Sequence, residues 1–464
     1  MGQLMTAITA KPITATPITA RPLTAYRLGE STEGANPLVW HALAAANDGV
    51  ITDQLVGVGT PTWAHTSSLL LPDYQGVYRT IGAGEAPIVG ARWVGGVPYA
   101  TDELGDPLTD WWFQCQPAYT NSLTYSNDLT NAAWTKSNTT ASLDAVGITG
   151  APNTATTFTD SDGANLGYIN RYVTIPDDSN PLVMRYFIEK DSDTSRYPRL
   201  GIRIIDGTTQ LRENAIINTS TGAIAAQPNN EGTTEVNDAG LFWEVLSQVT
   251  NNSSGNVRCQ ITPVPAYNSD GSATADSSAT GSIIVGNIEL HLNKTIAQVR
   301  GSAPIITAAS TVSTTAVYGT FDIANHDNST GAYYLEMSPA YASGEGGSGV
   351  SLRMNVNSGQ PVYAASDRVY SRDSDGVAIT GVMTFAANDV LKIGAVYSLG
   401  ENSKQAIENG NASAVYTYSG YTNGDGVIFL DAPNGTAHVR RYRNLRRYDL
   451  DYAAGLAKLL ELTA

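Results

Sequence analysis

The sequence contains few charged residues and, among them, an excess of acids. Charged residues make up 15% of the 464 positions, and 43 Asp and Glu outnumber 27 Lys and Arg, which gives a formal net charge of −16. A nucleic-acid-binding surface needs clustered Lys and Arg to displace counterions from phosphates. We therefore expect no nucleic-acid partner. The single basic run, between His438 and Arg447, alternates and is typical of a strand whose charges are solvated or paired with acids.

Cysteines, clustered histidines and long apolar runs are also scarce. Cys115 and Cys259 lie far apart and outside any metal-ligand spacing, so the chain has no disulfide framework and fits folding in a reducing cytoplasm. No apolar run is long enough to span a membrane, and the first residues lack the pattern of a signal peptide. The five histidines are dispersed, and no P-loop or G-x-S-x-G motif occurs. We expect no membrane insertion, no metal, no cofactor and no catalytic residue.

The composition that remains is typical of short strands and turns. Hydrophobic residues make up 42% of the chain, and Ser, Thr, Asn and Gly must cover much of the surface. This composition predicts an all-β protein. The chain is also too long for a single core, so we predict several domains. Asn409-Gly410 predicts a tight hairpin. Trp134 is predicted to be a core anchor, and the alternative is a platform on which a sugar stacks.

The first 35 residues predict an extended arm. A five-residue repeat of the type Pro-Ile-Thr-Ala excludes a helix and matches neither helical nor strand periodicity, so it cannot present one apolar face to a core of its own. The repeat places its prolines and aliphatic side chains at Pro12, Ile13, Pro17, Ile18, Pro22 and Leu23. The arm is either a disordered tail or an anchor that becomes ordered against another subunit, and we favour the anchor.

Several segments resemble virion proteins of tailed bacteriophages. Residues 120–134, TNSLTYSNDLTNAAW, resemble the opening strand of a jelly roll of the carbohydrate-binding type. Residues 241–246 and 282–290 resemble a later strand and the closing strand of that module. Residues 59–94 resemble a second element of the same architecture. Residues 435–450 resemble the end of concanavalin-A-like (laminin-G-like) domains of phage tail and fibre proteins, although Tyr-Asp-Leu stands where Tyr-Pro-Arg is usual.

These resemblances imply tandem β-sandwiches behind an N-terminal arm. We expect the arm over residues 1–35, a small β adaptor over 36–117, the jelly roll over 118–303 and the concanavalin-A-like sandwich over 304–464, followed by leucines at helical spacing near the C-terminus. The adaptor contains Trp111, Trp112 and Phe113, whose side chains cannot all face one way in a strand. One side of this triplet is therefore expected to pack on a neighbouring domain or subunit.

The resemblance also implies a role. It points to a non-enzymatic structural protein of the virion, assembled in the host cytoplasm, and first of all to a tail fibre or spike that contacts the host surface. A capsid-bound head fibre or decoration protein is the main alternative, and an enzyme that trims surface polysaccharide is the third. The expected partners are other virion proteins, bound through the arm, further copies in a homotrimer, and host surface glycan.

One group of residues has a composition typical of a glycan contact. Stacked rings beside amides and carboxylates are how a sandwich binds sugar at its edges or loops. The candidates are Tyr416, Tyr418, Tyr421, Asn423 and Asp425. Tyr416 and Tyr418 would share one face of a strand. The competing and more common role of such rings is ordinary packing or a contact between subunits.

Overall fold

The structure is a computed structural model. It describes residues 38–39, 62–193, 197–225, 231–322, 330–345, 352–354, 360–364, 368–372, 377–380, 382–418, 427–430, 438–448 and 451–464. The predicted arm and its six named residues lie outside these ranges. The described residues form 32 strands and two helices, which confirms the all-β class.

The strands fall into three groups along the chain. The first group is β1 (Leu38–Val39), β2 (Thr62–Trp63), β3 (Leu69–Pro72), β4 (Tyr78–Ile81), β5 (Ile88–Val89), β6 (Arg92–Val94), β7 (Val97–Tyr99) and β8 (Trp112–Cys115). The second is β9 (Thr120–Asn121), β10 (Thr135–Ser137), β11 (Thr139–Ala145), β12 (Ala155–Asp160), β13 (Tyr168–Thr174), β14 (Pro181–Glu189), β15 (Tyr197–Ile205), β16 (Leu211–Ile216), β17 (Thr233–Ala239), β18 (Phe242–Thr250), β19 (Arg258–Asn268) and β20 (Gly281–Leu292), followed by helix α1 (Ile296–Val299).

The third group is β21 (Val312–Ser313), β22 (Gly319–Asp322), β23 (Thr330–Pro339), β24 (Leu352–Met354), β25 (Gln360–Ala364), β26 (Val369–Arg372), β27 (Val377–Ile379), β28 (Leu391–Ser398), β29 (Ser403–Glu408), β30 (Asn411–Ala412), β31 (Val427–Leu430) and β32 (Arg440–Tyr448), followed by helix α2 (Tyr452–Thr463). The β29–β30 hairpin turns at Asn409-Gly410, both with positive φ, as the sequence predicts.

The first sandwich consists of two antiparallel sheets, in the orders β10-β13-β19-β15-β16 and β11-β12-β20-β14-β18-β17. All eleven of these strands lie within the predicted jelly-roll segment, residues 118–303. Aliphatic side chains from both sheets, such as Met184, Ile202 and Ile261, form the core between them. Trp134 is 1% exposed in this core, and its Nε1 donates to the carbonyl of Tyr125 at 2.9 Å. This confirms the core anchor and rules out the sugar platform for Trp134.

Strand β14 is buried on both faces, because the core of the first sandwich lies on one side of it and the second sandwich on the other. Because side chains alternate along a strand, Met184 and Tyr186 enter the core of the first sandwich, while Val183, Arg185 and Phe187 point the other way. Val183 belongs to a small apolar cluster that joins the two halves of the molecule. The members of this cluster are Tyr119, Val183, Leu246, Ile296, Val299, Ile305, Ala340 and Val439.

The second sandwich is assembled from both ends of the chain. Its larger sheet has the order β30-β29-β28-β23-β32-β8-β5, with β1 also paired to β32, and its smaller sheet has the order β2-β22-β31-β24-β25-β26-β27. Thus β1, β2, β5 and β8 complete sheets that are otherwise made from the C-terminal part. The prediction of a separate adaptor is wrong here, because β1, β2, β5 and β8 belong to the sheets of the second sandwich. These strands cover edges of the C-terminal strands that would otherwise lack partners.

The chain enters and leaves the first sandwich through two adjacent connections. Gln116 pairs with Val317 in an antiparallel bridge, and β9 pairs with β21 just beyond it. The first sandwich is therefore inserted into the second, and the two connections are held together by backbone hydrogen bonds. A tandem arrangement would have needed only one connection.

Aromatic rings fill the core of the second sandwich. Trp63 stacks on Phe113 with ring centroids 5.4 Å apart, and Tyr397 lies between Tyr333 and Tyr418 at 6.2 and 5.1 Å. Trp111 belongs to the same core. The opposite face of β8 buries the remaining indole of the triplet with a cluster that includes Leu69, Leu71, Ala303 and Val317.

The aromatic triplet Trp111-Trp112-Phe113 is thus covered within the chain. The side of Trp112 that was expected to need a neighbouring domain or subunit packs against residues of the same molecule, and the Arg443 guanidinium lies 3.9 Å from the centre of its ring. The triplet therefore provides no argument for a trimer. Trimer formation stays a prediction that needs other support.

Helix α2 closes the outer face of the larger sheet. The Asp451 carboxylate caps its N-terminus by accepting from Ala454 N at 2.8 Å. Leu459 is buried against Tyr334, Val396 and Ile407, and Leu456 and Leu460 pack partly against the same cluster. This confirms the helix predicted from leucine spacing. No helix within the described residues is long and apolar enough to cross a membrane.

Candidate functional site

The predicted glycan-contact residues are not brought together at the surface. Tyr418 is completely buried in the aromatic core, and Tyr416 packs partly against the same core while its backbone pairs with Lys404. The two tyrosines share one face, as predicted, but that face points inward. Tyr418 therefore has the competing role of ordinary packing. Tyr421, Asn423 and Asp425 lie outside the described residues.

One polar space in the described part of the chain lies between the two sandwiches. It is a cleft of about 500 Å³, within the range of roughly 300 to 1,000 Å³ typical of small-molecule sites. Its walls come from the β3–β4 turn, strand β14, the β17–β18 turn, the segment after α1 and strand β32. A second cleft of about 350 Å³ shares Pro72, Asp73, Tyr74 and Arg441 with it.

Two tight turns, one from each side, form one wall of the larger cleft. In the β3–β4 turn, the Asp73 carboxylate accepts from the backbone N–H of Gln75 and Val77 at 2.9 Å and from Arg79 Nε at 2.9 Å. Gly76 in this turn and Gly240 in the β17–β18 turn both have positive φ, +78° and +73°. A Cβ on Gly76 would lie 2.5 Å from the Gly240 Cα, so the two backbones can approach only as glycines.

The buried arginine of strand β14 is neutralised inside the cleft. Arg185 Nη2 lies 2.6 Å from Glu244 and donates to the carbonyl of Ser302 at 2.9 Å, and its Nη1 lies 3.7 Å from Glu289. The Arg185 side chain is only 1% exposed, so the two carboxylates are needed to offset the cost of removing its charge from water. Burial and the Glu244 charge raise the pKa of the nearby Tyr78 hydroxyl well above its ordinary value.

A second cleft arginine joins the two sandwiches. Arg300, directly after α1, donates two hydrogen bonds to Glu235 of β17 at 2.7 and 2.8 Å. It donates two more to Glu345 of the second sandwich, at 2.8 and 3.1 Å, and one to the carbonyl of Ala340. These fork-shaped pairs fix the guanidinium and hold its pKa above its ordinary value. They also hold the pKa of Glu345 below its ordinary value.

The third cleft arginine has a different environment. Arg441 of β32 donates from Nε to the Gln114 side-chain oxygen at 3.3 Å and from Nη1 to the Asn388 side-chain oxygen at 3.4 Å. Both partners are neutral amides. Desolvation lowers the pKa of Arg441, and the Asp110 carboxylate partly counters that effect. An arginine remains protonated in proteins, so the cleft contains a guanidinium that forms no ion pair with a carboxylate of the described residues, although the Asp110 and Glu244 charges act on it.

Sequence analysis missed this residue because it treated the whole basic run as solvated or paired with acids. The alternation in that run could have shown that successive arginines point to opposite faces of the strand. Arg440 and Tyr442 point into the aromatic core and are completely buried, whereas Arg441 and Arg443 point toward the first sandwich and the β3–β8 segment. Arg443 pairs with Glu336 at 2.7 Å, as the paired alternative predicts. For Arg440 the prediction of a solvated side chain is wrong.

Within the described residues, no three His, Cys, Asp or Glu side chains are grouped so that they could hold a metal ion. Both cysteines are buried and free, and burial raises the pKa of Cys259 to about 12. The cleft presents charged and hydrogen-bonding groups that could recognise a polar ligand.

Comparison with known proteins gives no family for the chain. No protein-family model matches the sequence, and no curated protein does either. Among solved structures, the tandem CBM22 domains of Xyn10C from Paenibacillus barcinonensis align with 72% of this chain and 99% of their own length, at 9% identity and a TM-score of 0.24. A Trypanosoma rangeli sialidase aligns with 66% of this chain and 61% of its own length, at 7% identity and a TM-score of 0.24. The fold described above rests on strand pairing and on neither of these likenesses.

Proposed function

We propose that this chain is a structural protein of a tailed-bacteriophage virion, a tail fibre or spike whose two sandwiches contact the host surface. The N-terminal arm is its anchor to other virion proteins. The observation that carries the proposal is the set of segments resembling phage virion proteins, which occur in both sandwiches. The protein would be assembled in the host cytoplasm, would not be an enzyme and would bind no nucleic acid.

The architecture supports this proposal, because the strand that follows the arm in sequence is paired to the larger sheet. Leu38 of β1 pairs with Arg447 of β32, a central strand of that sheet. The double connection between the sandwiches would likewise keep the host-facing body in one piece.

Homotrimer formation is part of the proposal, and the open sheet edges of the first sandwich support it. Both sheets of the first sandwich end on edge strands, of which β11 and β17 are seven residues long. Unpaired backbone groups on such edges favour contact with a further chain. Light scattering on the full-length protein at micromolar concentration should give three times the chain mass. A single-chain mass would contradict the trimer.

The anchoring role can be tested by deleting residues 2–25. The truncated protein should remain folded, with an unchanged circular dichroism spectrum and melting temperature, but should be absent from purified particles. A matched full-length variant, with Ile13, Ile18 and Leu23 changed to Ser and the prolines kept, should also be excluded if the aliphatic side chains make the contact. Normal incorporation of both variants would overturn the anchor.

A capsid-bound head fibre or decoration protein is the second candidate, because the resemblance serves both roles. Gold-labelled protein located by electron microscopy on complete particles separates them, since the label lies on the tail for the first and on the capsid for the second. Purified protein should also compete with phage adsorption if it contacts the host. If the protein does not compete with phage adsorption and the label lies on the capsid, the decoration role would replace the tail-fibre role.

A further inference from the structure

The cleft between the sandwiches contains a guanidinium that forms no ion pair within the described residues. Arg185 and Arg300 each pair with two glutamates. The hydrogen bonds of Arg441 go only to the amide oxygens of Gln114 and Asn388, at 3.3 and 3.4 Å, and no carboxylate of the described residues forms an ion pair with it. Partial burial of an arginine without a carboxylate costs free energy that an anionic ligand would recover.

A glycine lets the guanidinium of Arg441 lie close to the backbone of the cleft wall. Gly301 has a φ of +72°, and a Cβ at this position would lie 3.3 Å from Arg441 Nη2 and 3.1 Å from the Ala340 Cβ. Any side chain here would crowd the terminal nitrogen that makes no hydrogen bond within the described residues. Gly301 and Arg441 both line the cleft.

We propose that this cleft binds a sugar acid, whose carboxylate pairs with Arg441. The carboxylate is inferred from the unbalanced guanidinium, whose planar fork of donors matches two carboxylate oxygens. The choice of a saccharide rests on the proposed function, since a protein that contacts a bacterial surface meets acidic polysaccharide there. The cleft volume of about 500 Å³ suits a small ligand of this kind.

The other polar groups of the cleft would contact the sugar hydroxyls. Asn237 and Asn388 supply amide donors and acceptors, and Tyr74 supplies a partly exposed ring on the wall shared with the smaller cleft. Arg185 and Arg300 are committed to their glutamates, so they shape the cleft without binding the carboxylate. The Asp110 and Glu244 carboxylates act electrostatically on Arg441 and reduce its attraction for an anion. Asp73 and Asp238 also line the cleft, so we expect modest affinity.

The binding test uses the full-length protein and defined probes. D-glucuronate, D-galacturonate and N-acetylneuraminate are titrated at constant ionic strength, with D-glucose and acetate as references, and followed by ligand-observed NMR. At least one sugar acid should bind in the micromolar to millimolar range, roughly tenfold more tightly than glucose and acetate. No sugar-acid binding, or equal binding of glucose, would overturn the proposal. If acetate bound as tightly as the best sugar acid, the claim that the ligand is a saccharide would be overturned.

An isosteric variant separates the site from the fold. Asn388→Asp places a carboxylate beside Arg441 without changing side-chain size, and both residues tolerate its φ of +67°. It should weaken sugar-acid binding roughly tenfold, because the guanidinium is then balanced within the protein. Asn402→Asp is the matched control, with the same charge change at an exposed position of φ +50° away from the cleft. It should bind like the wild type.

Arg441→Gln should abolish the same binding. If that variant fails to fold, Asn388→Asp decides. Wild-type affinity in Asn388→Asp would overturn the role of Arg441. The inference and the proposed function fail separately. A protein found on particles that binds no sugar acid removes only the cleft ligand, whereas a protein that binds sugar acid but never joins particles removes only the virion role.

Discussion

The two sandwiches solve the same packing problem with different parts of the chain. The first is continuous in sequence from β10 to β20 and has a mostly aliphatic core, with Ile, Leu and Val from both sheets. The second combines strands that precede the first sandwich with strands that follow it, and stacked rings dominate its core. A contiguous sandwich needs no strand from elsewhere in the chain. The second sandwich needs segments more than two hundred residues apart, for example β8 beside β32.

The largest expected effect comes from dividing the chain between the sandwiches. Residues 118–303 expressed alone should fold, because both sheets of the first sandwich lie within them. Residues 304–464 alone should not fold, because they lack β1, β2, β5 and β8 and the Trp63 and Phe113 rings. Proton NMR dispersion and thermal unfolding of each fragment provide the measurement.

Adding residues 36–117 in trans to the second fragment is the control, and it should restore some folded protein. A cooperative unfolding transition in residues 304–464 alone would contradict the discontinuous sandwich. That result would mean that the first group of strands forms a separate adaptor.

The aromatic core can be probed at Tyr418. Tyr418→Ala should lower the free energy of unfolding by about 3 to 5 kcal/mol, because it removes a fully buried ring that packs on Tyr397. Urea unfolding of the full-length protein measures the change. Tyr418→Phe, which keeps the ring, should cost much less. Wild-type stability in the alanine variant would mean that the ring is not part of the core.

Acid should weaken the second sandwich through His438. The imidazole is 3% exposed beside Tyr341, and burial together with the Arg440 charge lowers its pKa from 6.5 to about 4. Between these values the unfolded chain binds a proton that the folded protein does not, so stability falls as the pH drops from 6.5 toward 4. The total effect is at most about 3 kcal/mol, and it is absent above pH 6.5.

Urea unfolding at pH 7.5 and pH 5 tests this dependence. His438→Phe should reduce the difference between the two conditions, since it keeps a ring against Tyr341 but cannot bind a proton. An identical pH dependence in wild type and variant would show that other groups are responsible.

The smallest expected effect concerns the link between the sandwiches. Arg300→Met removes a guanidinium that holds Glu235 and Glu345 together, at an expected cost of about 1 to 2 kcal/mol, because both glutamates are about one-third exposed and remain hydrated. Calorimetry should show the transitions of the two sandwiches moving apart. Lys458→Met on α2, which removes a surface ion pair with Glu461, is the control and should change little.

Local patterns predicted several elements well. The Asn409-Gly410 turn and the leucine spacing of α2 each describe contacts among residues close in sequence. The separate adaptor over residues 36–117 and the surface role of Tyr418 were wrong for a common reason. Both depend on partners that lie far along the chain, namely β32 for β8 and Tyr397 with its neighbours for Tyr418.

The cleft could not be predicted for the same reason. Its arginines come from β14, the segment after α1 and β32, which are distant in sequence, and their roles depend on which carboxylates lie near them. A basic run indicates charge and strand periodicity but does not reveal that Arg441 faces two amides while Arg300 faces two glutamates.

The sequence by itself determined the all-β class, the core role of Trp134 and the terminal helix, because strand and helix periodicities and turn chemistry act over a few residues. Only the tertiary structure decided that one sandwich is inserted into the other, that the aromatic triplet is covered within the chain, and that one arginine of the cleft forms no ion pair with a described carboxylate. Sheet edges and buried charges take whichever partners the folded chain brings to them, and those partners are set by packing over the whole molecule.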